Sequence, residues 1–125
     1  MITKAEHIGI MVSDLDRSIP FYRDILGLKV REIRKRDHGP DLVFIEVGGV
    51  EIELIAGSAS PYHKGDGIVN HLAFTVADLE AALAHLRAHG VEVISPQPIV
   101  LDEHTRVAFF RGPDGEKLEL VEKRS

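Results

Sequence analysis

The chain has 125 residues, enough to bury one respectable core and too few for two independently stable domains of ordinary size. Its 44% apolar and 28% charged residues are those of a folded soluble protein, and a net charge of −5 argues against nucleic acid as a partner. There is no cysteine, which excludes disulfide scaffolds, thiolate nucleophiles and sulfur-bound zinc, so any metal must be held by nitrogen and oxygen.

The first residues, Met1 to Glu6, lack the apolar stretch of a signal peptide, and no apolar run approaches the ~18–20 residues of a membrane span. A cytoplasmic protein with no membrane partner is expected. From His7 to Val12 two sets alternate: Ile8, Ile10 and Val12 on one face, His7, Gly9 and Met11 on the other. That period defines a strand. Asp14 then offers an N-cap, and Leu15, Ile19, Tyr22 and Leu26 follow at helical spacing until Gly27. Leu28 to Ile33 and Leu42 to Val47 read as two further strands, and Gly48-Gly49 as a hairpin into a fourth at Val50 to Ile55.

The basic residues Lys29, Arg31, Arg34, Lys35 and Arg36 alternate with apolar ones, as on a solvated strand face; an anion site is the competing reading.

After a turn-rich stretch, Ala56 to Gly67, the order begins again. His71 to Val76 alternates, Asp78 caps, Leu79, Leu83 and Leu86 form a helical stripe that ends at Gly90, and Val91 to Ile94, Arg106 to Arg111 and Lys117 to Val121 supply strands. The repeat is numerical as well. His71 follows His7 by 64 positions, Asp78 follows Asp14 by 64, and Glu119 follows Glu53 by 66. The expected fold is therefore α+β: one domain, 1–125, made of two tandem βαβββ modules, about 1–56 and 68–123, joined by a 57–67 linker. Each module alone is too small to shield both faces of its sheet, so two curled mixed sheets should enclose a cleft. Pairing occurs either within one chain or by exchange between two, and a homodimer is expected.

Four residues are candidate ligands: His7, Glu53, His71 and Glu119. Their neighbours Ile8, Ile52, Leu54, Leu72, Leu118 and Leu120 are apolar, so alternation sends all four to the face away from the core. Singly each fits a solvated strand, more so because Glu51 and Lys117 share those faces. Their recurrence at equivalent positions argues for one shared divalent ion, since two imidazoles and two carboxylates suit Ni²⁺, Co²⁺, Zn²⁺, Mn²⁺ or Fe²⁺. His85 and His89, four apart on the second helix, lie beside its apolar stripe and read as solvated, and His38, His63 and His104 fall in loops or at a strand edge.

The segments His7-Ile8-Gly9-Ile10, Phe21 to Leu28, Ile52-Glu53-Leu54, His71-Leu72-Ala73-Phe74 and Pro113 to Leu120 together resemble the vicinal oxygen chelate superfamily across the whole chain. That superfamily includes glyoxalase I, methylmalonyl-CoA epimerase, fosfomycin-modifying thiol transferases, extradiol dioxygenases and bleomycin-binding proteins.

The His-Glu-His-Glu quartet is similar to that of bacterial-type glyoxalase I, which implies metal ligation by His7, Glu53, His71 and Glu119. Epimerases of the family usually carry Gln where Glu53 stands, and thiol transferases and dioxygenases use one Glu. The resemblance implies a lyase or isomerase that carries a hemithioacetal or related α-hydroxycarbonyl through an enediolate, with Glu119 as the base and Glu53 second. A small-molecule substrate and a low-molecular-weight thiol are the implied partners. Glutathione-using members usually have Arg and Asn where this chain has Met11 and Gly57, so the thiol is open. The alternatives are an epimerase, a thiol transferase or a dioxygenase on the same metal, or a small-molecule-binding protein without turnover.

Overall fold

A computed structural model describes residues 1–57, 66–67 and 69–125. The chain divides into two compact units, Met1–Pro61 and Tyr62–Ser125.

In the first unit, strand β1 (His7–Val12) leads to helix α1 (Leu15–Pro20). The Asp14 carboxylate caps that helix by accepting the Asp16 N–H at 2.9 Å. The helical spacing suggests one helix to Leu26, but α1 ends at Pro20 and a wider π-helical turn covers Phe21–Ile25. Pro20 has no N–H to donate to the turn below it, so the ladder loosens, and the Leu26 N–H reaches back five residues to the Phe21 carbonyl at 2.9 Å. The turn keeps Phe21 and Tyr22 buried, their rings edge-on at 5.0 Å.

Strands β2 (Lys29–Arg34), β3 (Leu42–Val47) and β4 (Val50–Ala56) complete a four-stranded sheet in the order β1-β4-β3-β2. β1 runs parallel to β4 and the other pairs are antiparallel. Gly48 and Gly49 both have positive φ, 52° and 90°, as a two-residue hairpin with the right twist requires. Val43, Ile45, Ile52 and Leu54 are buried on one face of this sheet.

The second unit repeats the order with β5 (Leu72–Thr75), α2 (Leu79–Ala88), β6 (Ile99–Val100), β7 (Thr105–Arg111) and β8 (Lys117–Lys123). Its sheet runs β5-β8-β7-β6, with β5 parallel to β8. Asp78 caps α2 through the Ala81 N–H at 3.0 Å, and Leu79, Leu83 and Leu86 are buried, as are Phe110, Leu118 and Leu120 on one face of the sheet. The N-terminus of α2 has a second anchor. Glu122, only 3% exposed, accepts the Leu79 N–H at 2.7 Å and pairs with Arg106 and Arg124.

Two expectations need correction here. Val91 to Ile94 is not a strand; Val93 makes a single bridge to Phe110, and the edge strand is Ile99–Val100. Ser95 diverts the ladder, because its hydroxyl accepts the Phe109 N–H at 2.9 Å, and Pro96 and Pro98 have no N–H to continue it. The alternation expected from His71 to Val76 likewise yields a shorter strand: His71 stands just before β5, whose pairing with β8 starts at Leu72 and Leu118. Among the described residues no helix is long and apolar enough to cross a membrane.

Candidate metal centre

In the first unit the parallel register sets Gly9 opposite Glu53 and His7 opposite Glu51. Cross-strand partners share a face, so His7 and Glu53 project to the same side, and Gly9 between them adds no side chain to block the imidazole. His7 Nε2 lies 3.7 Å from a Glu53 oxygen. The second unit repeats the arrangement: Ala73 faces Glu119, and His71 Nε2 lies 3.3 Å from a Glu119 oxygen. A small residue two places after the histidine clears the way in both.

These carboxylates are not on open solvated faces. The Glu53 and Glu119 side chains are 18% and 12% exposed, against 46% and 34% for the histidines.

The outer ring nitrogens decide what the inner ones can do. His7 Nδ1 is 2.8 Å from a Glu6 oxygen and His71 Nδ1 is 2.9 Å from the Asn70 side-chain oxygen. Both partners only accept, so each Nδ1 must donate. In a neutral ring Nε2 then carries a lone pair aimed at a carboxylate. Two acceptors face each other, an arrangement that calls for a cation between them, either a ring proton or a metal ion. Ligands bound at about 2.0–2.2 Å on a tetrahedral or octahedral ion stand roughly 2.9–3.4 Å apart; the His71–Glu119 separation of 3.3 Å falls in that span and the His7–Glu53 separation of 3.7 Å lies beyond it. The donor set therefore fits a divalent metal. The Glu6 hydrogen bond, more than the charges of Glu53 and Glu51, also raises the His7 pKa, against an opposing effect of desolvation.

Among the described residues no group of three or more His, Asp or Glu side chains stands at metal-binding spacing; what each unit shows by itself is one His–Glu pair.

An aromatic ring lies across from each glutamate. Phe44 is paired with Glu53 and Phe109 with Glu119. Arg31 and Arg34 stack over Phe44 at 5.0 and 4.9 Å, and Lys117 over Phe109 at 4.8 Å, while the His71 ring meets Phe109 edge-on at 5.2 Å. Arg31 is bound to Glu51, Arg34 to Glu32 and Lys35 to Asp41, so three of the five charges in the basic stretch are internally paired rather than held out as an anion site.

The remaining histidines take other roles. The His85 and His89 rings are 4.4 Å apart, but His89 Nδ1 is hydrogen-bonded to the His85 carbonyl. His38 is exposed, His104 lies beside Glu103, and His63 is outside the described residues. Glu6, Asn70, Phe44 and Phe109 went unnoticed in the sequence. The first two carry a legible signal, a side-chain oxygen immediately before each candidate histidine.

A family model described as the Glyoxalase/Bleomycin resistance protein/Dioxygenase superfamily matches residues 4–120. The chain belongs to this superfamily. The lactoylglutathione lyase of Haemophilus influenzae is 34% identical over 124 residues, covering 95% of this chain and 92% of that protein. The mitochondrial methylmalonyl-CoA epimerase of Mus musculus is 30% identical over 119 residues, covering 88% and 66% respectively. A solved structure of the fosfomycin resistance protein FosX from Listeria monocytogenes, complexed with Mn(II) and sulfate, superposes with a TM-score of 0.79 at 21% identity, covering 98% of this chain and 93% of that one. At that identity the likeness establishes the glyoxalase-like fold.

Proposed function

We propose that the protein is a divalent-metal-dependent lyase or isomerase of glyoxalase type, acting on a hemithioacetal or related α-hydroxycarbonyl. The observation that carries this reading is the opposed Nε2 and carboxylate, repeated in both modules of a chain that belongs to the superfamily. His7, Glu53, His71 and Glu119 would hold the ion, and the two half-sites would meet at it, both from one chain or one from each chain of a homodimer.

The ion, when bound, supplies Lewis-acid stabilisation of negative charge on neighbouring substrate oxygens. Proton movement belongs to the chain. Glu119 takes the proton from the carbon bearing sulfur and hydroxyl, giving an enediolate, and returns it to the adjacent carbon, while the hydroxyl proton passes between the two oxygens. The product is the α-hydroxy thioester, and no atom is gained or lost. Glu119 is preferred over Glu53 because its side chain is the more shielded of the two, and a water-poor setting strengthens every electrostatic contact in the transition state.

A low-molecular-weight thiol other than glutathione fits the chain better. Met11 is 54% exposed and offers no cation, and Gly57 has φ of 129°, a conformation that Asn adopts poorly.

The test is metal-reconstituted protein with methylglyoxal and a panel of thiols, followed by NMR in deuterated water. Thioester formation is expected with at least one thiol; none with any metal or thiol sinks the reading. The epimerase relative favours one second reading, in which the same proton leaves and returns to a single carbon. Deuterium at an α-carbon of a chiral thioester, with inversion and no isomer, would select it.

A further inference from the structure

We infer that Glu6 and Asn70 are positioning residues, which hold His7 and His71 in the tautomer that aims an Nε2 lone pair at Glu53 and Glu119, and that their difference in charge makes His7 the stronger donor. The inference rests on the reading of the two histidines as metal ligands.

The same relation occurs twice in different chemistry. Glu6 and Asn70 are 64 positions apart, as the histidines are, and each holds Nδ1 of the ring that follows it, at 2.8 and 2.9 Å. One is a carboxylate and the other an amide, so the duplicated modules share the acceptor and not the residue. Histidine ligands generally donate their outer N–H to such an acceptor, which fixes ring orientation and raises basicity, and loss of that partner typically costs roughly 10–100-fold in metal affinity.

Local geometry makes the Glu6 device cheap to order. The Glu6 carbonyl accepts the Glu51 N–H at 3.3 Å, which ties its backbone to β4 and leaves only side-chain rotation to be fixed. Glu6 is 83% exposed, so its contribution is orientation rather than a buried ion pair. The carboxylate pulls harder than the amide on the shared proton and leaves more electron density on the His7 ring. The two imidazoles are thereby unequal ligands in a pseudo-symmetric fold.

The decisive measurement is ring nitrogen NMR on ¹⁵N-labelled, metal-free protein, at a pH where the imidazoles are neutral. Protonated Nδ1 and bare Nε2 are expected at both His7 and His71, with Glu6→Ala and Asn70→Ala each releasing only the adjacent ring. Titration with Ni²⁺ supplies the second readout. Both alanine variants should bind about 10–100-fold more weakly, Glu6→Gln should recover most of the loss, and Asn70→Asp should bind more tightly than the wild type. Rings protonated at Nε2 in the wild type would overturn the inference. So would unchanged Ni²⁺ affinity in the alanine variants, or a Glu6→Gln variant as weak as Glu6→Ala, which would leave only long-range charge. A wild-type protein that binds none of Ni²⁺, Co²⁺, Zn²⁺, Mn²⁺ and Fe²⁺ would refute the metal reading on which the donor ranking depends, while the ring spectra would still decide the tautomers.

Discussion

Replacing Glu119 by Gln separates the role of ligand from the role of base. The change keeps the shape of the side chain, and its strand neighbours Leu118 and Leu120, 1% and 5% exposed, pack on the opposite face, so the sheet has no reason to shift. What changes is the partner of His71 Nε2. At 3.3 Å an amide N–H can donate to the lone pair that a carboxylate could only oppose, and the pair no longer needs a cation between its members. The three other candidate ligands remain, so metal binding should weaken and persist.

Proton transfer should not persist. A positioned general base is worth about 10²–10⁴-fold in rate, and an amide cannot fill that role. The expected result is a loss of that size in deuterium exchange at the substrate α-carbon, measured by NMR at saturating metal, with Ni²⁺ affinity falling far less. Glu53→Gln should lose less exchange than Glu119→Gln. Undiminished exchange with equal metal affinity in Glu119→Gln would show that the base is elsewhere.

Other perturbations test the surrounding structure. His7→Ala and His71→Ala should each abolish metal retention; mixed together they recover about one quarter of wild-type metal capacity if each centre draws its half-sites from two randomly pairing chains, and nothing if both come from one chain, as metal analysis after co-refolding will show. Gly57→Asn forces a side chain onto a φ of 129° and should lower stability by about 1–3 kcal/mol in denaturant melts, whereas Met11→Arg, on an exposed side chain, should change it by less than about 0.5 kcal/mol. Glu122 has a lowered pKa, first because it accepts the Leu79 N–H and then because of Arg106 and Arg124, with desolvation opposing. Its stabilising contribution is therefore complete above the ordinary carboxylate value of 4.5 and is lost as pH falls through the lower folded value. Wild type should exceed Glu122→Gln in denaturation midpoint near neutrality, and the gap should close in acid.

Period and spacing made much of the fold legible. Alternation around Glu53 located the buried Ile52 and Leu54, and the two aspartate caps marked where α1 and α2 begin. The misses have a common cause. Pro20 and Ser95 each alter one backbone hydrogen bond, and a hydrophobic period is blind to where a single N–H goes. His71 leaves the strand for a related reason, since pairing with β8 begins one residue later and the His-Glu approach depends on register rather than on strand membership. The recurrence of His and Glu could be counted in the sequence, but the shielding of the carboxylates and the direction of the ring nitrogens belong to the folded chain.

Duplication supplies two equivalent carboxylates, and a reaction that moves a proton in one direction must tell them apart. The difference has to lie in their neighbours. Two residues before Glu53 on the same strand face is Glu51, tied to Arg31, and the Arg34 guanidinium also acts electrostatically on Glu53. Two residues before Glu119 is Lys117, drawn over Phe109 and 3.7 Å from Asp66. Each glutamate faces a phenylalanine across the ladder, so the difference lies in the charge two places before it, Glu51 in one module and Lys117 in the other, and in the His71 ring that stands edge-on to Phe109. If the modules differ in role, the more shielded carboxylate, Glu119, should move the proton and Glu53 should chiefly hold the ion. Exchanging the neighbours probes this directly: Lys117→Glu should depress proton exchange more than Glu51→Lys, measured at saturating metal, and equal effects would mean that the surroundings do not set the division of labour.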